Sequence, residues 1–346
     1  MTSATPRRAA VRWPTGRVRV PLETAAEPVP LVVSIGGEAD GTYLWSRPTA
    51  TLELLPDLDR GISPTRVALS GDGRMLFFDR RALRDDESIP YVKRSYSLGV
   101  FRLELATGEV RRSAHDPRGE YSSTREFASS PAGDQVAVAE TWVVPELEAQ
   151  VQGLLARRVK LMVADVGGSA LRELATVPGS YYTGPDDSSV HWSPDGRSIA
   201  LGSVAEDAQT GAYVIEMRVV DVASAEVVLE RKGLRTVGTA GWAPDSSCLL
   251  VADMEERIKV LRVDTGELEP LPFLPGSNMG IPFEKTTRIL GFLDDRTVMT
   301  VAQRGRRMLL SAVDIETGAA EPLVGCADAP EAMPVLAQMP PDYWRG

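Results

Sequence analysis

Histidine is almost missing from this chain: His115 and His191 are the only two. With no Cys-x-x-Cys pair and no His-Glu-x-x-His run, that inventory argues against a zinc centre. A Gly-x-Ser-x-Gly elbow is absent too, so an elbow-type serine nucleophile has no seat. Neither a Walker phosphate loop nor a dinucleotide-binding glycine pattern occurs, and no cofactor or metal is expected.

Cysteine is equally scarce. Cys248 and Cys326 are the two present, and Cys248 sits inside the apolar run CLLVA, where a thiol reads as a small buried hydrophobe and not as half of a disulfide. Long apolar stretches are lacking, so no membrane span is expected, and residues 1–20 carry Arg7, Arg8 and Arg12 without the apolar segment of a secretory signal. These absences point to a cytoplasmic chain. A single asparagine, Asn278, and a large excess of arginine over lysine fit the codon usage of a GC-rich bacterium. Positive charge is in deficit: a net charge of −10 would repel a polyanion, so no nucleic-acid partner is expected.

What the sequence does have is a repeat. The cleanest copy, HWSPDGRSIALGS at residues 191–203, is a short strand, a tight turn at Pro194-Asp195-Gly196 and an apolar strand. Related copies start at Ala68, Ala128, Gly241 and Gly291, which brings Leu69, Ser129, Trp192, Trp242 and Phe292 to one position at spacings of 60, 63, 50 and 50 residues. Each copy is followed by a second hairpin whose turn carries Gly108, Gly168, Gly266 or Gly318. Two hairpins per unit make a four-stranded sheet that cannot bury both faces alone and therefore stacks on its neighbours in a ring. The predicted fold is all-β: a single β-propeller of about six four-stranded blades, seven being the alternative, over residues 17–339. Residues 1–16 are expected to be flexible and 340–346 a tail. A sixth blade is assembled from residues 30–35, 42–46 and 50–55, with its fourth strand from one terminus, either 17–22 or 334–339.

The proline-aspartate turn, its preceding aromatic and the Val-Asp that ends the third strand resemble TolB-like and WD-like propeller repeats over roughly residues 62–323. The resemblance implies the fold; such repeats occur in binding proteins and in enzyme domains alike.

Asp72, Asp195, Asp245 and Asp295 recur at the turns, where an aspartate caps its own backbone amides. Trp192, Trp242 and Phe292 read as filler between sheets, and His191 beside them as a structural histidine. One segment, residues 145–160, carries Pro145, Glu146 and Glu148 at its start, Arg157 and Arg158 near its end, and Leu147, Val151, Leu154 and Leu155 at helical spacing. It reads as one short helical insertion docked on the propeller.

Strand alternation puts the connections between strands two and three, and between blades, on one face. These are read as long: residues 80–97, 113–124, 140–158, 175–188 and 272–287. Long loops on a rigid scaffold carry function. The ligand-binding candidates on this face are Arg125, Arg288, Tyr91, Tyr96, His115, Tyr121, Tyr181, Tyr182 and Asp187; no catalytic residue is assigned. The expected function is a non-catalytic binding or scaffolding propeller that engages a protein or peptide. A competing expectation is an enzyme (lyase, cyclase or hydrolase) acting on a small anionic ligand at the channel mouth, with His115, a tyrosine and the arginines.

Overall fold

In the computed structural model the described residues are 9–12, 19–25, 31–35, 41–46, 51–54, 67–70, 74–85, 93–104, 106–112, 125–148, 153–166, 171–181, 188–207, 209–238, 240–255, 257–271, 288–304, 307–326 and 333–336. They form an all-β propeller with almost no helix.

Blade I comprises strands Val67–Leu69, Met75–Asp85, Lys93–Glu104 and Val110–Arg112, and blade II strands Arg125–Ser129, Gln135–Val143, Arg157–Asp165 and Arg172–Pro178. In blade III the inner strand is split into Ser180–Tyr181 and Val190–Trp192, followed by Ser198–Glu206, Tyr213–Asp221 and Val227–Lys232. Blade IV is Leu234–Thr236, Cys248–Asp253, Ile258–Arg262 and Leu268–Pro270. Blade V is Arg288–Phe292, Thr297–Arg304, Arg307–Asp314 and Ala320–Cys326, widened by the N-terminal strands Arg19–Ala25 and Ala9–Arg12.

Each central strand buries both faces, and for that reason the sequence shows short continuous apolar runs there instead of strict alternation. In the run CLLVA, Leu249 and Val251 pack toward blade III with Trp242, Met217 and Val219. Leu250 and Ala252 pack toward blade V with Phe292, Val298 and Val313. The same division repeats in blade III, where Leu201 and Ile199 meet Leu161 and Val163 of blade II, while Ala200 faces blade IV. Phe77 and Val100 of blade I pack on Phe127, Val136 and Val138 of blade II. The described cores thus lie between blades.

Five blades carry described cores where six or seven were expected, and they are not uniformly four-stranded. A further sheet, with Met333–Leu336 innermost followed by Leu31–Ile35, Gly41–Ser46 and Thr51–Leu54, is described by its backbone alone. Its inner strand lies beside that of blade V. Of the two termini offered for its fourth strand, the C-terminal one supplies it. The N-terminal one instead edges blade V through Leu22↔Cys326 and Ala25↔Val324. Within the segment expected to be flexible, Ala9–Arg12 pairs with Arg19–Leu22.

Among the described residues the helix read over 145–160 is corrected to one turn, Pro145–Glu148, and a 3-10 turn, Gly153–Ala156. Arg157 onward is strand, paired on both sides. A ladder of nine residues between two strands outweighs a short helix that is marginal by itself. Leu154 and Leu155 are half-buried and Ala156 buried, and this turn lies against strand Ser198–Glu206 of blade III.

Candidate functional site: the connection face

The two ends of the ring differ in chemistry. At one end the aspartates of the tight turns are spent on their own backbone: Asp195 Oδ1 accepts from Ser193 Oγ at 2.6 Å and Arg197 N at 3.0 Å, and Asp245 Oδ1 from Ser247 N at 2.9 Å. In blade V this role falls to Asp294, which accepts from Arg296 N and Thr297 N, both at 2.8 Å, and not to Asp295. Asp72 lies outside the described residues. The second hairpins repeat the device at Asp221 and Asp314, whose carboxyls are held below the ordinary value first by backbone N–H donors, from Ser224 and Thr317.

The aromatics of the repeat are core. Trp192, Trp242 and Phe292 are 3%, 1% and 5% exposed. Trp192 Nε1 donates to Gly196 O at 3.1 Å, and Trp242 Nε1 to His191 O at 3.1 Å, tying blade IV to blade III. His191 has both ring nitrogens engaged: Nε2 donates to Ser188 O at 2.7 Å and Nδ1 accepts from Gly241 N at 3.4 Å. Burial pushes its pKa down to about 4, so it is neutral at physiological pH. Burial likewise pushes the Cys248 thiol up to about 11, as befits a residue packed as a hydrophobe.

The opposite end, where strands two and three are joined, is less uniform than its sequence reads. The links from blade II to III and from III to IV are single glycines, Gly179 and Gly233. Residues 175–181, within the loop expected over 175–188, are strand apart from Gly179. In blade I, residues 75–85 and 93–104 form a long hairpin, so most of the loop expected over 80–97 is ladder. Around the channel the inner strands of blades III, IV and V are stitched directly. Ser188 N donates to Gly238 O at 3.0 Å, Thr236 Oγ1 to Ser188 O at 2.8 Å, and Ala240 forms a parallel bridge to Gly291. Gly291 is required at this stitch: a Cβ there would stand 2.0 Å from Ala240 O.

Of the residues expected to bind, Arg125 and Arg288 head the inner strands of blades II and V, in register with Glu140 and Val301. Tyr96 lies in the blade I hairpin opposite Ala82. Tyr181 is buried among Leu161, Val177 and Val190, and its backbone N–H donates to Thr141 Oγ1 at 3.3 Å, so its side chain fills the blade II–III core. Tyr91, His115, Tyr121, Tyr182 and Asp187 lie outside the described residues.

Three side chains that sequence reasoning passed over mark this end. Trp142, Tyr213 and Met254 are 40%, 66% and 58% exposed, and they stand where strands two and three join in blades II, III and IV. Lys160 Nζ lies 4.5 Å from the centroid of the Trp142 ring, a cation–π contact at the surface. Tyr213 sits opposite Glu206 at the tip of its hairpin. Below that tip the buried Arg218 guanidinium hydrogen-bonds Glu216, Glu230 Oε1 at 3.2 Å and Ser203 Oγ at 3.0 Å. Among the described residues the other exposed large hydrophobics, Val110, Val227, Val228 and Leu268, open outer strands at the opposite end.

No protein-family model matches the chain, and no curated relative matches it either. Solved structures do. TolB from Acinetobacter baumannii is similar at 12% identity and a TM-score of 0.51, with 92% of this chain and 68% of that one covered. The β-propeller domain of Cps50 (Swd1) from Myceliophteria thermophila matches at 12% identity and a TM-score of 0.45, covering 92% and 86%. An oligogalacturonate lyase in complex with manganese matches at 13% and 0.42, covering 94% and 97%. The likeness to TolB establishes the fold, in keeping with the TolB-like and WD-like repeat of the sequence.

Proposed function

We propose that the protein is a non-catalytic binding or scaffolding propeller of the bacterial cytoplasm that engages a protein or peptide through its connection face. One observation carries this reading: large apolar side chains, two of them aromatic, are held in solvent at the same end of three consecutive blades. Tryptophan and tyrosine so placed are typical anchors of protein contacts. The state of His191 agrees with it, since both ring nitrogens are already engaged inside the fold. The sheet headed by Met333–Leu336 is taken as the blade that closes the ring, because a C-terminal strand innermost in an N-terminal sheet removes an open edge.

The test is affinity capture from native cells with wild type, with Trp142→Ala/Tyr213→Ala/Met254→Ala, and with Val227→Ala/Val228→Ala at the opposite end. A partner lost only from the triple variant supports the reading. Loss only from the Val227/Val228 variant, or from neither, contradicts it.

A further inference from the structure

Resting on that binding reading, we propose that the partner docks on the seam between blades III and IV, through an apolar side chain flanked by lysine or arginine. The apolar strip of this seam follows from strand alternation. In strand Tyr213–Asp221, Met217 and Val219 pack in the core shared with blade IV, so Ile215 and Tyr213, earlier in the same unbroken ladder, lie on the same face. Ile215 is half-buried and Tyr213 exposed, so that face passes from core to solvent at the connection end. Gly233, the link to blade IV, donates its N–H to Ile215 O at 2.7 Å. The Met254 side chain of blade IV lies over this glycine, since a Cβ on Gly233 would stand 3.9 Å from Met254 Cγ. Met254, Gly233, Ile215 and Tyr213 therefore form one strip across the seam, exposed at both ends. Trp142 stands apart, on the face of blade II that packs toward blade I.

The charges around the strip select its occupant. Between Ser198 and Met217 blade III carries Glu206, Asp207 and Glu216 and no basic residue. Glu216 is matched below the tip by Arg218, with Glu230 and Lys232 completing that group. On blade IV, Arg257 joins Asp253 at 2.8 Å and Glu255 at 2.9 Å, and Lys259 Nζ lies 2.9 Å from Asp253. These groups cancel, which leaves Glu206 opposite Tyr213, Asp207 at the turn and Glu256 in the sequence as an acidic surplus. Arg231 reaches away, donating to Gly266 O at the opposite end, and Arg235 is buried on the blade V side of its strand. With a net charge of −10 on the whole chain, the seam attracts a basic segment and repels a nucleic acid or an anionic lipid surface. Methionine adapts to apolar side chains of different shape, and tyrosine adds contact area at small entropy cost, so a strip this short suits an apolar anchor with basic flanks.

Fluorescence anisotropy of the full chain at low salt tests this with the labelled peptide Lys-Arg-Leu-Phe-Arg-Lys, a second peptide with serines in place of leucine and phenylalanine, and a third with glutamates in place of the basic residues. The first should bind, and the other two at least about tenfold more weakly. Tyr213→Ala/Met254→Ala should weaken the first peptide by about tenfold or more. Glu206→Gln/Glu255→Gln should weaken it severalfold, a difference that vanishes near 1 M salt, where screening acts over about 3 Å. Val227→Ala/Val228→Ala, at the opposite end, should leave binding unchanged. Thermal melting checks that each variant is folded; if the alanine pair melts early, the single variants Tyr213→Ala and Met254→Ala take its place. Absence of wild-type binding, equal binding of the serine or the glutamate peptide, unchanged binding in the Tyr213/Met254 variants, or equal loss in the Val227/Val228 variant overturns the proposal. If Trp142→Ala/Tyr213→Ala/Met254→Ala loses its captured partner while the basic peptide fails to bind, the binding face stands and the basic, apolar chemistry falls.

Discussion

Removing the Trp242 side chain probes the packing between blades where it is tightest. The indole is 1% exposed and packs on Met217, Val219, Leu249 and Leu261, residues from both blade III and blade IV. Burial of roughly 200 Å² at about 25 cal/mol per Å² corresponds to about 5 kcal/mol, and large-to-small changes at aromatic core sites measure about 3–5 kcal/mol. Trp242→Ala also leaves His191 O without its indole donor, a loss of about 1 kcal/mol contained in that range. Urea denaturation of wild type and variant, with the slope checked for two-state behaviour, gives the difference. Trp242→Phe should keep most of the packing and lose about 1–2 kcal/mol. A loss under about 1 kcal/mol in Trp242→Ala would mean that blades III and IV do not share this core.

Acid should weaken the fold in two windows. His191 has its pKa lowered to about 4 by burial, so the unfolded chain binds its proton first, and stability falls as pH drops from about 6.5 to 4, by up to about 3 kcal/mol; His191→Gln should flatten that limb in a pH series of denaturation curves. Asp207, Asp221 and Asp314, held low by N–H donors, stabilise the fold fully above their unfolded pKa near 4 and lose that contribution as pH falls below it, so the remaining decline in the same series lies at lower pH. Gly291→Ala should destabilise by at least about 2 kcal/mol in chemical denaturation, because its Cβ would collide with Ala240 O at a left-handed backbone position. Deleting residues 330–346 should lower the melting temperature far more than deleting 1–28, since one removes an innermost strand and the other an outer edge; equal effects in thermal melts would contradict that closure.

The sheet framework was legible because its signals are local. Tight turns at Asp195 and Asp245, capped by their own carboxylates, and the apolar pairs that alternate between neighbouring cores repeat at nearly constant spacing. What escaped the sequence depends on contacts across blades. Pro178-Gly179 reads as a loop, yet Gly179 is a one-residue link at a left-handed φ of 94° between two blades. The favourable charges at 145–160 suit a helix, but pairing with Gln135–Val143 and Arg172–Pro178 claims Arg157 onward. Tyr181 looks like any loop tyrosine until the split inner strand of blade III seats it in a core.

The central claim is that partners bind at the connection face, and site-specific photo-crosslinking in native cells tests it most directly. With a photo-reactive amino acid replacing Tyr213, a discrete crosslinked protein species is expected, and with the same group replacing Val228 at the opposite end, none. A discrete species from position 228 with nothing from position 213 would contradict the assignment of the binding face.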